Sequence, residues 1–151
     1  MISSRRRTSS SIALVLALTM VPALSGCFGD NPLGGIVEQA TGGQVDLGGT
    51  EIPSGFPSEV PLISGTVEFG LGIGESESRA YNVTIAAGAE SPLSAIETQF
   101  ADAGFESQAQ ASGADGVGTV VFSNDSWGVV VVVAQTDEGY TANYTVTPAG
   151  S

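Results

Sequence analysis

The chain has 151 residues, 42% of them hydrophobic, with one cysteine, no histidine and a formal net charge of −12. Three of its four basic residues are Arg5, Arg6 and Arg7; beyond them sixteen carboxylates face the single cation Arg79, lysine is absent, and the side chains after Cys27 sum to −15. A surface of this sign repels phosphate backbones and excludes nucleic acid as a partner, and the missing His and Lys remove Ser-His, Cys-His and Ser-Lys pairs, Schiff bases and the usual nitrogen ligands of zinc.

Residues 1–26 predict a signal peptide. Arg5 to Arg7 supply its positive leading region, and Ile12 to Leu24 is an apolar run of about thirteen residues. A bilayer span needs roughly twenty. Pro22 breaks the run just before the small residues Ser25 and Gly26, and the polar Thr8, Ser9 and Ser10 after the arginines favour the general secretory route over the twin-arginine one. The tetrapeptide Leu24-Ser25-Gly26-Cys27 resembles the lipobox of bacterial lipoproteins. The resemblance covers residues 1–27 and implies cleavage before Cys27, a diacylglycerol thioether (palmitate-type chains) on its sulfur, and a lipid-anchored protein on the extracytoplasmic face of the cell membrane. One acyl chain is a marginal anchor; with about 0.8 kcal/mol per buried methylene, two hold.

Residues 27–55 read as the lipidated N-terminus and a Gly-rich tether, broken by Gly34-Gly35, Gly42-Gly43, Gly48-Gly49, Pro32 and Pro53. A flexible chain of this length reaches about 25–30 Å. No Lys-Ser/Thr follows the glycine pairs, so they do not form a phosphate loop.

Residues 56–151 suffice for one small domain. Phe56 to Leu62 enters as an extended, proline-fixed stretch. From Thr66 to Ile73 the apolar Val67, Phe69, Leu71 and Ile73 alternate with Glu68, Gly70 and Gly72, predicting a half-buried strand. A polar turn, Gly74 to Ser78, returns the chain into a second strand with Tyr81, Val83 and Ile85 facing inward. Helical spacing follows: Ser91 caps, Pro92 opens the first turn, Leu93, Ile96, Phe100 and Ala103 draw one apolar stripe, and Gly104 stops the helix. Four strands complete the chain, at Phe105 to Gln110, Val117 to Ser123, Trp127 to Gln135 and Tyr140 to Thr147. In the last, Tyr140, Ala142, Tyr144 and Val146 alternate with Thr141, Asn143, Thr145 and Thr147. The predicted fold is α+β and two-layered, one amphipathic helix on an antiparallel sheet in the order ββαββββ.

Val129 to Val133 does not alternate, which predicts a strand covered on both faces although only one helix is available. Either the sheet curls, or Phe56 to Leu62 and the tether cover the second face, or Val120, Phe122, Trp127, Val130 and Val132 form an apolar patch for a ligand or partner.

Chemistry is sparse. Glu75 and Glu77 share one turn and Asp137 and Glu138 another, without the fixed separation in a cleft that carboxylate hydrolysis needs. No EF-hand-type calcium loop is present. The element order and the Phe56-Pro57-Ser58-Glu59-Val60-Pro61-Leu62 segment resemble small exported domains of actinobacterial lipoproteins, and the arrangement is loosely similar to the secreted β-lactamase inhibitory proteins, which carry disulfides that this chain lacks. The expectation is a membrane-anchored binding or accessory module of the cell envelope, not an enzyme. It uses no cofactor beyond the covalent lipid, and its partner is a basic envelope protein or a small ligand. The alternatives are a protein inhibitor or envelope sensor and, behind these, a carboxylate-dependent hydrolase.

Overall fold

The computed structural model describes residues 45–75 and 78–150; the signal peptide, Cys27, the tether up to residue 44 and Glu77 lie outside the described residues. Seven strands and one α-helix follow in the order β1 (Val45–Gly49), β2 (Thr66–Ile73), β3 (Ala80–Gly88), α1 (Leu93–Asp102), β4 (Glu106–Ser112), β5 (Gly118–Ser123), β6 (Trp127–Thr136) and β7 (Gly139–Pro148), with a 3₁₀ turn at Ala114–Gly116. The strands form one sheet, ordered β1-β2-β3-β7-β6-β5-β4, in which every neighbouring pair is antiparallel. The α+β class is as expected, but the sheet is larger. Its additional strand, β1, lies in the segment read as tether, where Val45 pairs with Ile73 and Asp46 with Gly72.

The helix forms where its end signals stand. Ser91 Oγ accepts a hydrogen bond from the Leu93 amide and donates one to the Gly116 carbonyl, tying the start of α1 to the turn before β5. At the other end Gly104 has a φ of 81°, the Phe105 amide bonds to the Phe100 carbonyl and the Gly104 amide to that of Ala101. This is the paired closure of a Schellman stop, completed by edge contact of the Phe100 and Phe105 rings at 5.1 Å. Leu93, Ile96 and Phe100 are buried, whereas Ala103, expected in the stripe, is exposed.

Phe100 joins the two layers. Its ring stacks on Phe122 of β5 at 4.1 Å and lies near-parallel to Tyr144 of β7 at 6.4 Å. A ten-residue helix is only about 15 Å long, while seven strands span about 29 Å. The rest of this face is covered by residues 50–65. Val60 and Ile63 join the core cluster, and Phe56 packs edge-on against Tyr81 at 5.5 Å. The Tyr81 hydroxyl donates to the Gly55 carbonyl at 2.6 Å, and the Trp127 indole to Glu59 at 3.0 Å. The Phe56 to Leu62 segment therefore shares the helix's face of the sheet and does not cover the second.

Two further expectations are corrected. In β6, Val129, Val131 and Val133 are buried, while Val130 and Val132 are 36% and 40% exposed. Among the described residues the valine run is covered on one face only. In β2 a bulge between Val67 and Phe69 reverses the alternation: Val67 stands opposite the buried Ile85, but Phe69, Leu71 and Ile73 stand opposite Thr84, Asn82 and Ala80, on the face away from the helix. Gly70 and Gly72 take the covered side. The reason is close approach: a Cβ on Gly70 would lie 2.0 Å from the Glu51 carbonyl oxygen, and one on Gly72 2.8 Å from Arg79 Nε.

Burial also sets an alkaline limit. Tyr144 is fully buried, and desolvation pushes its phenol up from 10.0 to about 12, opposed in part by the Ile63 amide, which donates to its oxygen at 3.3 Å. Because the folded value exceeds the unfolded one, this contribution to stability is intact below pH 10 and is lost as pH rises through 12, at up to about 1 kcal/mol per pH unit. Urea titrations across this range should show that loss in the wild type. Tyr144→Phe should start about 1–3 kcal/mol less stable, its Ile63 amide having lost an acceptor, and show a flatter profile. Equal alkaline loss in both proteins would contradict the assignment.

Candidate functional site: the uncovered face of the sheet

The five residues expected to form one patch divide between the two faces. Val120 and Phe122 are 0% and 3% exposed, beneath the helix. Val120 pairs with the buried Val131, and Phe122 with the buried Val129, so both turn toward the core. Trp127 is half-buried at the helix side, 6.4 Å from the Tyr81 ring and held by the Asn124 side chain, which accepts from its amide at 2.7 Å. Only Val130 and Val132 reach the other face. A patch containing all five does not exist.

That other face carries a different and larger surface. Ladder partners share a face, so the registers place Val121, Val130, Thr145, Asn82 and Leu71 in one row across the sheet, and Thr119, Val132, Asn143, Thr84 and Phe69 in the next. Phe69, Ile73, Val130 and Val132 are four of the five large hydrophobic side chains exposed among the described residues. They flank a polar centre from both sides: Phe69, Leu71 and Ile73 on β2, Val130 and Val132 on β6.

The amides of the polar centre are closed on the face itself. Asn82 and Asn143 exchange amide hydrogen bonds of 3.1 and 3.0 Å across β3 and β7. The second N–H of Asn82 goes to Thr145 Oγ1 at 3.0 Å, and that of Asn143 to Thr84 Oγ1 at 2.8 Å. All four amide donors are thereby used within the face.

Charge is absent from its middle. β3, β5, β6 and β7 contain no charged residue, and the strand carboxylates are Asp46, which pairs with the helix-side Gly72, Glu68 in the β2 bulge, and Glu106 beside Ser123 at the far corner. The one described cation belongs to the covered side: Arg79 Nη2 lies 3.9 Å from Asp46 Oδ2, and its Cζ is 6.0 Å from the Tyr81 ring centre. Its Nε and Nη2 make no hydrogen bond.

The turn carboxylates do not converge. Glu75 stands in the β2–β3 turn, at the start of β3, whereas Asp137 and Glu138 precede β7, whose Tyr140 pairs with Gly88 at the end of β3. The length of that nine-residue strand, about 30 Å, separates them. Among the described residues no three His, Cys, Asp or Glu side chains gather closely enough to hold a metal ion.

Sequence reasoning missed Phe69, Leu71 and Ile73 because it set them inward, and missed the Asn82–Asn143 pair because nothing in the sequence brings β3 beside β7. The alternation of Asn and Thr with buried residues along β7 was the available signal. Comparison with protein-family models, curated proteins and solved structures finds no match.

Replacing Asn143 by alanine removes three of the four hydrogen bonds at the centre of this face and should cost about 1–3 kcal/mol in a denaturant titration. A cost under 0.3 kcal/mol would mean that water replaces the network freely.

Proposed function

We propose that this protein is a lipid-anchored, exported binding or accessory module of the bacterial cell envelope. Cys27 carries the anchor and the uncovered sheet face carries the binding. The anchor reading rests on the order of basic region, apolar run and Leu24-Ser25-Gly26-Cys27. The binding reading rests on one observation: the sheet exposes Phe69, Ile73, Val130 and Val132 on a face free of charge at its centre, in a chain that otherwise spends its surface on carboxylates. An enzyme relying on carboxylates is disfavoured by the separation of the turn acids.

The anchor is tested by detergent phase partition and by labelling with a fatty acid. The wild-type chain should enter the detergent phase and take up label. Cys27→Ala should incorporate none and either appear in the soluble fraction or remain uncleaved. Unchanged labelling and partition of the variant would refute the anchor.

A further inference from the structure

We infer that the uncovered face binds a second copy of this chain, sheet against sheet, about a twofold axis running along the strands between β3 and β7. The inference deepens the binding reading above and does not depend on the anchor.

Three observations select this occupant. The first is hydrogen bonding. A glycan or polar peptide lying on the face needs free donors and acceptors, but the amide donors of Asn82 and Asn143 are already used between themselves and with Thr84 and Thr145. A centre whose amide donors are satisfied in advance leaves only its threonine hydroxyls to be paired on burial, which suits a protein contact better than a polar ligand.

The second is charge. Two copies each carrying −15 after Cys27 repel wherever their carboxylates meet, and the middle of this face is where they meet none. A basic partner would find nothing there to pair with.

The third is symmetry and area. In the order β1-β2-β3-β7-β6-β5-β4, an axis between β3 and β7 sets β2 of one copy over β6 of the other. Phe69, Leu71 and Ile73 then face Val130 and Val132 of the second copy, twice over, with the two Asn–Asn pairs at the centre. Face-to-face sheets pack about 10 Å apart at about −30°. The axis superposes six strands of five to ten residues, β1 to β3 and β5 to β7, which at about 4.8 Å spacing and 3.3 Å per residue give a face of about 750 Å². A stable interface takes about 800 Å² from each partner.

The test is sedimentation of the full exported chain in density-matched detergent, at low and high salt. A dimer with micromolar or tighter dissociation is expected, tightening several-fold between 50 and 500 mM salt as carboxylate repulsion is screened. A contact with a basic protein would weaken instead. The double variant Val130→Glu, Val132→Glu should be monomeric with an unchanged circular dichroism spectrum. Wild-type monomer at about 100 μM, or a folded double variant that still dimerises, would overturn the inference.

If the double variant does not fold, disulfide trapping decides. Phe69 and Val132 lie three strands apart, about 14 Å, too far for a bridge within one chain. Co-expressed Phe69→Cys and Val132→Cys chains should therefore form a linked dimer, and Glu138→Cys, at the β6–β7 turn, should not replace either. Absence of the linked dimer, or equal linkage through Glu138→Cys, would count against the contact. Failure of the anchor reading would show only in fatty-acid labelling and partition, so the two outcomes are separable.

Discussion

The structure turns on a shortage of cover. A seven-stranded sheet presents two broad faces, and the described chain supplies one ten-residue helix and one extended segment to shield them. Both go to the same face. Phe100 fixes that choice, because its ring is held by Phe122 and Tyr144 from the sheet and by Phe105 from the chain that leaves the helix. Once the helix lies over β5 and β7, residues 50–65 complete the same layer over β2 and β3, with the Ile63 amide bonded to the Tyr144 hydroxyl. The opposite face receives nothing from the described chain, and its character follows from what a sheet tolerates in water without charge: threonine, asparagine and a limited number of apolar side chains.

The bulge in β2 decides how apolar that face becomes. Were Glu68 paired in regular register opposite Thr84, Phe69, Leu71 and Ile73 would join Val67 on the covered side, and Gly70 and Gly72 would line the open one. With the bulge, the glycines sit beneath the Glu51 carbonyl, Pro53 and Arg79, where no side chain fits. The close approach of residues 51–53 and the exposure of Phe69 and Ile73 are thus two results of a single register shift. Arg79, the only cation of the described chain, belongs to the same arrangement: it lies against Gly72, Asp46 and Tyr81, leaving the other face neutral.

Much of the covered layer was legible in the sequence. Helix α1 announces itself through Ser91-Pro92, the Leu93, Ile96, Phe100 stripe and Gly104, and the alternation of Tyr140 to Val146 gives the inward side of β7. These signals are local. What failed depended on register. Val120 and Phe122 look like companions of Val130 and Val132, and only the pairing of Val120 with Val131 shows that they point the other way. The valine run looks doubly covered because valine suits a covered and an open face of a strand equally well. β1 escaped because Asp46 and a glycine pair resemble a linker, and its strand character comes from pairing with β2.

The uneven cover of the sheet is most directly measured by hydroxyl-radical footprinting of the full chain, diluted until it is monomeric. Oxidation should fall on Phe69, Ile73, Val130 and Val132 and spare Val83, Val129, Val131 and Val133. Equal protection of both sets in the monomer would contradict the account, because it would mean that the chain shields both faces of its own sheet.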